Sequence, residues 1–143
     1  MSRAEKIVLK TVNKPSKEDA RTLTDWFLDA FDLSGSDAVL EQMFSELVEN
    51  SLAGVGTTSK DLNESLKLPR STVIYHLNRF IDSGLVVRKG VRYYLRASDF
   101  ESTIQELQAE MFMEFNRMMQ FASKLDELME DEINGRRKKR SRR

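Results

Sequence analysis

Six side chains between positions 70 and 79 carry most of the chemistry this sequence offers: Arg70, Ser71, Thr72, Tyr75, His76 and Arg79. They supply guanidinium, hydroxyl, phenol and imidazole groups, and no carboxylate follows until Asp82. Such a donor set suits a polyanion. Arg pairs bidentately with guanine, Ser and Thr meet several acceptors, and Tyr offers edge or methyl contact. Arg79, further along, is placed for a phosphate. A second cluster follows at Arg88, Lys89 and Arg92, and a third at Arg136, Arg137, Lys138, Lys139 and Arg140. Each of these cations can neutralise a phosphate and release a counterion. His76 has two readings of equal weight, a contact to nucleic acid or a hydrogen bond inside its own fold.

The elements that must hold these groups are legible around them. Pro69 fixes its own φ and keeps Leu68 out of the helical region, so a helix over 59–67 stops there and another starts at Arg70 or Ser71. In the second helix Val73, Ile74, Leu77, Phe80 and Ile81 form one apolar face, and the six candidate residues lie opposite. Gly84 can end it in a left-handed conformation. Residues 85–88 and 91–95 then pair as a hairpin, with Gly90 at the turn. Helix, turn, helix, hairpin is the winged helix-turn-helix order, whose second helix enters the DNA major groove.

The string around Ser71-Thr72-Val73, Tyr75-His76-Leu77, Arg79-Phe80 and Ser83-Gly84-Leu85-Val86, with the tyrosine-rich basic hairpin after it, resembles the ArsR-like winged helix-turn-helix regulators of bacteria and archaea. The resemblance covers roughly residues 37–95. It implies a dimeric transcriptional regulator with DNA on the second helix and the hairpin. Metal-sensing members carry a Cys-Val-Cys pair on the recognition helix, or acidic and His ligands on the last helix. This chain has no cysteine and one histidine, so neither ligand set is present and no metal or other cofactor is expected.

The net charge of zero conceals a segregation. Residues 59–96 hold eight basic side chains against three acidic, residues 97–134 two against ten, and residues 135–143 seven against none. Polyanion binding is thus available locally in a chain that is neutral overall. Without cysteine there are no disulfides, thiolate zinc sites or thiol redox chemistry. No apolar run reaches the ~18–20 residues of a membrane span, and none follows Met1 as a signal peptide would; a cytoplasmic location and no membrane partner are expected. The lone histidine, with no Ser or Asp/Glu spacing beside it, makes no triad, so no enzyme is expected.

Four further stretches complete the reading. Residues 5–12 are β-branched and suit either a short strand or an irregular arm. Ser16 is a candidate cap for a helix bearing Ala20, Leu23, Phe27, Ala30 and Phe31 on one stripe, with Trp26 beside it as core or pocket wall. A second helix over 37–52, capped by Ser34 or Ser36, presents Val39, Leu40, Met43, Phe44, Leu47, Val48 and Leu52. The loop 53–58 holds two glycines but lacks the Gly-Lys-Ser/Thr of a phosphate cradle, and Thr58 or Ser59 caps the next helix.

Residues 99–133 read as one helix of ~50 Å. Ile104, Leu107, Met111, Phe115, Met118, Ala122, Leu125 and Met129 recur at spacings of three and four, with a slip between Met111 and Phe115. So long a stripe marks an association surface, and these eight residues are the expected dimer interface.

The expected architecture is mainly α with a small β-hairpin wing (α+β): an N-terminal arm and helix over 1–35, a winged helix-turn-helix domain over 36–96, a long dimerisation helix over 97–134 and a disordered basic tail over 135–143. The expected function is that of a homodimeric, sequence-specific transcriptional regulator on double-stranded DNA. An RNA- or ribosome-binding factor on the same scaffold stays open, because the tail suits RNA as well as DNA.

Overall fold

The chain runs α1 (Ala20–Ala30), α2 (Val39–Leu52), β1 (Thr57–Thr58), α3 (Ser59–Leu66), α4 (Arg70–Asp82), β2 (Val86–Lys89), β3 (Arg92–Leu95) and α5 (Phe100–Ser141). This computed structural model describes residues 4, 6–33 and 38–141. Helices dominate, with one small antiparallel sheet of order β1-β3-β2 and a long C-terminal helix. The chain divides into two units, Met1–Leu107 and Gln108–Arg143.

In the first unit the core gathers on Phe80, Met43, Leu47, Leu62, Leu77 and Leu85, all fully buried. Burying each such side chain contributes ~1.5–3 kcal/mol. Phe44 stacks on Phe80 at 5.4 Å between ring centroids, and Phe100 meets both Phe44 and Phe27 edge-on. The first turns of α5 therefore belong to this core. Thr103 is buried there, its hydroxyl donating to the Asp99 carbonyl at 2.8 Å and accepting from the Ala97 N–H at 3.0 Å.

The helix ends follow local chemistry. Asp19, rather than Ser16, caps α1 by accepting from the Thr22 N–H at 2.8 Å. At the other end Asp32 takes φ 57°, Leu33 N–H bonds Leu28 O, and Asp32 N–H bonds Asp29 O. That is a Schellman closure, and it presses Leu28 and Leu33 together in the core. Leu28 and Leu33 are thus buried where the expected stripe had Ala20, which is exposed. The candidate caps Ser34 and Ser36 lie outside the described residues. α2 ends with Leu52 exposed and Ser51 buried, reversing the expected roles.

Residues 6–12 form no strand. Their backbone instead docks by single bonds, Lys6 N–H to Asp82 O at 2.9 Å and Lys10 N–H to Ala30 O at 2.8 Å. Trp26 extends this docking by donating from Nε1 to Asn13 O at 2.6 Å. The expected loop 53–58 contains a strand at its end, Thr57 and Thr58 pairing with Tyr93 and Arg92.

Two expectations about the C-terminal helix change. Leu107 is buried in the chain's own core and Ile104 packs against it, so neither is free to form a dimer interface. The helix also does not stop at Ile133. It continues through Gly135 to Ser141, with Lys138, Lys139 and Arg140 in its last turn. Cations there complement the helix dipole, and Ser141 Oγ donates to Lys138 O at 3.0 Å; the expected disordered tail is helical over its described part.

Candidate nucleic-acid interface

The turn between α3 and α4 sets the start of the candidate surface. Thr58 and Asp61 form a capping box at the head of α3: Asp61 N–H donates to Thr58 Oγ1 and Thr58 N–H to Asp61 Oδ2, both at 3.0 Å. Those bonds, first the Thr58 N–H, hold the Asp61 carboxyl below its ordinary value, with Arg92 and Lys60 adding a smaller pull. Lys67 closes α3 in a left-handed conformation at φ 53°, and the Asn63 side-chain amide donates to Leu68 O. Pro69, at φ −58°, then launches α4.

α4 divides cleanly into two faces. Val73, Leu77 and Phe80 are fully buried, whereas Arg70 and Ser71 are exposed and Tyr75 keeps 61% of its surface. Thr72, His76 and Arg79 are half-buried between the two. The first turn carries no acidic residue and no side chain caps its amides, so its N–H groups and the positive end of the dipole face outward, the arrangement that favours anions. Arg79 lies over the Tyr75 ring at 5.9 Å, and His76 meets the same ring edge-on at 5.2 Å. Tyr75 is thereby held upright by cation–π and aromatic contact.

The hairpin repeats the pairing of cation and tyrosine. Val86, Val87, Arg88 and Lys89 face Leu95, Tyr94, Tyr93 and Arg92 in register. Gly90 takes φ 64° at the first of the two turn positions, as a two-residue hairpin turn requires. Arg88 lies 5.7 Å from the Tyr93 centroid and donates from Nε to Gly90 O at 2.8 Å; Lys89 lies 5.4 Å from the Tyr94 centroid. Arg92 turns another way, donating from Nη1 to Val55 O at 3.3 Å. It braces the loop after α2, while Arg88 and Lys89 stay at the tip.

Three surface residues were missed by the sequence reading. Lys60, whose side chain is 82% exposed, joins Ser59, Asn63 and Arg70 around a cleft of about 310 Å³. Its only sequence signal was a place in the basic count of residues 59–96. Asn63 was legible as neither core nor cap. Val91, 69% exposed beside Gly90, puts an apolar side chain at the hairpin tip.

The first unit thus holds the α4 and hairpin candidates together. Arg136, Arg137, Lys138, Lys139 and Arg140 are exposed on α5 in the second unit. Of the expected dimer residues there, Phe115, Met118, Ala122, Leu125 and Met129 are exposed and Met111 is half-buried.

A separate cleft of about 640 Å³ lies beside Trp26, lined among others by Arg21, Asp25 and Glu41. Glu41 hydrogen-bonds Asp25, which with burial raises its carboxyl above the ordinary value, while Arg21 at 3.2 Å opposes the shift. Among the described residues no cluster of His, Asp or Glu could hold a metal ion, and no helix is long and apolar enough to cross a membrane. No family model, curated protein or solved structure matches the chain.

Proposed function

We propose that the chain is a homodimeric winged helix-turn-helix protein, similar to the ArsR-like regulators, that binds specific double-stranded DNA and regulates transcription. In this reading α3, the Lys67–Pro69 turn and α4 are the helix-turn-helix, and β2–β3 is the wing. The observation that carries it is the first half of α4, where exposed Arg70, Ser71 and Tyr75 flank uncapped amides and the first turn holds no acidic residue. A dimer would set two such helices on a palindrome, with half-sites ~34 Å apart. Arg88 and Lys89 then meet the backbone.

RNA binding on the same scaffold is the second reading, favoured by the exposed cations of residues 136–140, which attract any polyanion. Capture at about 0.2 M salt from mixed genomic DNA fragments and total RNA separates the two, since non-specific phosphate contacts weaken there. A recurring palindromic DNA motif is the expected product. Structured RNA without a DNA motif would overturn the DNA assignment. Removal of residues 135–143 should weaken every nucleic acid alike and lower the salt slope.

A further inference from the structure

Tyr75 is the one large apolar side chain that α4 leaves exposed: it keeps 61% of its surface, while Val73, Leu77 and Phe80 are fully buried on the opposite side. Its neighbours one turn away on the same side are Ser71, Thr72, Asn78 and Arg79. All four are hydrogen-bonding groups. Two contacts order the ring, the Arg79 guanidinium 5.9 Å from its centroid and the His76 ring edge-on at 5.2 Å. The phenol hydroxyl takes no part in either. A ring ordered before binding has little rotamer freedom left to lose on contact.

The chemistry of that ring selects among the bases. A tyrosine tip sets an O–H donor beside an apolar ring edge. The major groove displays the complementary pair at one base only. Thymine carries the O4 acceptor next to the C5 methyl, whereas guanine shows two acceptors, adenine an acceptor and a donor, and cytosine a donor without a methyl. The thymine methyl is also the one apolar group in that groove, so no other base edge offsets the drying of the ring. A phosphate would engage the hydroxyl and leave the ring edge unused.

We propose that Tyr75 reads thymine, its hydroxyl donating to O4 and its ring edge packing on the C5 methyl. The inference rests on the DNA-binding reading above and deepens it by naming a base. It also separates the two polymers, because the uracil of RNA lacks the methyl.

Deoxyuridine tests the methyl by itself. In the duplex recovered by capture, each thymine of one half-site is replaced in turn and the affinity is measured by fluorescence anisotropy. At one of these thymines, uracil should weaken wild-type binding about four-fold, the contribution of one buried methyl group. No charge changes, so that factor should persist at every salt concentration, unlike a phosphate contact. At the same position Tyr75→Ala should bind the thymine and uracil duplexes alike. Tyr75→Phe should keep the four-fold preference and bind both duplexes more weakly. A half-site with no thymine whose uracil penalty vanishes in Tyr75→Ala would overturn the assignment and leave the DNA reading in place. Capture without any DNA motif would remove the reading and the assignment together.

Discussion

The Tyr94 ring lies over Gly56 so closely that a Cβ at position 56 would stand 2.6 Å from Cζ and 2.7 Å from Cε1. The ring is held there by its hydroxyl, 3.5 Å from Val55 O, and it seats the loop after α2 on the hairpin. Gly56 takes φ +76°, and so does Gly54, whose added Cβ would meet nothing within 4 Å. The pair forms its own control. Gly54→Ala should cost ~1–2 kcal/mol for the left-handed conformation, and Gly56→Ala that amount plus ~1–3 kcal/mol of overpacking. Urea denaturation of the two variants measures the difference; equal losses would show that Tyr94 swings aside freely.

Ser51 makes the second tie between α2 and the sheet. Its hydroxyl, in a residue only 9% exposed, accepts from the Leu95 N–H at 2.9 Å. Ser51→Ala leaves that buried amide without its acceptor and should cost ~1–3 kcal/mol. The neighbouring Leu52→Ala, on a side chain 58% exposed, should stay within ~0.5 kcal/mol. Thermal unfolding of both variants checks the contrast, and the reverse order would mean that the face of α2 is misassigned.

How much of this was legible depends on the distance between cause and effect along the chain. α4 could be read because Pro69 and the Val73–Leu77–Phe80 period act within a dozen residues of one another. The turn at Gly90 was readable for the same reason. β1 was not, since Thr57 and Thr58 become a strand only by pairing with Tyr93 and Arg92, and two residues carry no alternation. Leu33 was missed because its return to the core follows from Asp32 taking a left-handed φ, a role that sequence reasoning gives to glycine. The cations of α4 and the hairpin were legible as types. That Arg92 braces Val55 while Arg88 and Lys89 keep the tip depends on strand register, which no local pattern states.

Acid should destabilise the first unit through its helix caps. Asp61 is held low by the Thr58 N–H, Asp19 by the Thr22 N–H and Asp99 by the Ser102 N–H. A carboxyl with a depressed folded pKa contributes stability that is complete above its unfolded value of 3.8 and is lost as pH falls through the folded one. Glu41 has the opposite sign. Its folded value is raised above 4.5, so its contribution declines as pH rises through that window. Asp61→Asn keeps an acceptor for the Thr58 N–H but cannot titrate. The fall in urea midpoint from about pH 5 to about pH 3 should be smaller in that variant than in the wild type. Identical acid limbs would show that solvent screening at this exposed box removes the effect.

The nucleic-acid reading itself turns on Arg70 and Lys89, which should fail differently. Arg70 opens α4 beside uncapped amides and a tyrosine that Arg79 and His76 hold upright. If it reads a base edge, Arg70→Ala should lose ~1–3 kcal/mol on the motif recovered by capture and much less on a scrambled duplex. Lys89 sits at the hairpin tip over Tyr94, where in the proposed reading its partner would be a phosphate. Lys89→Ala should weaken both duplexes equally and lower the slope of log K against log salt by about 0.9. Fluorescence anisotropy over a salt series, with both duplexes, separates the two signatures. Should Arg70→Ala instead weaken motif and scrambled DNA alike, α4 would be touching only the backbone, and sequence choice would have to come from DNA shape.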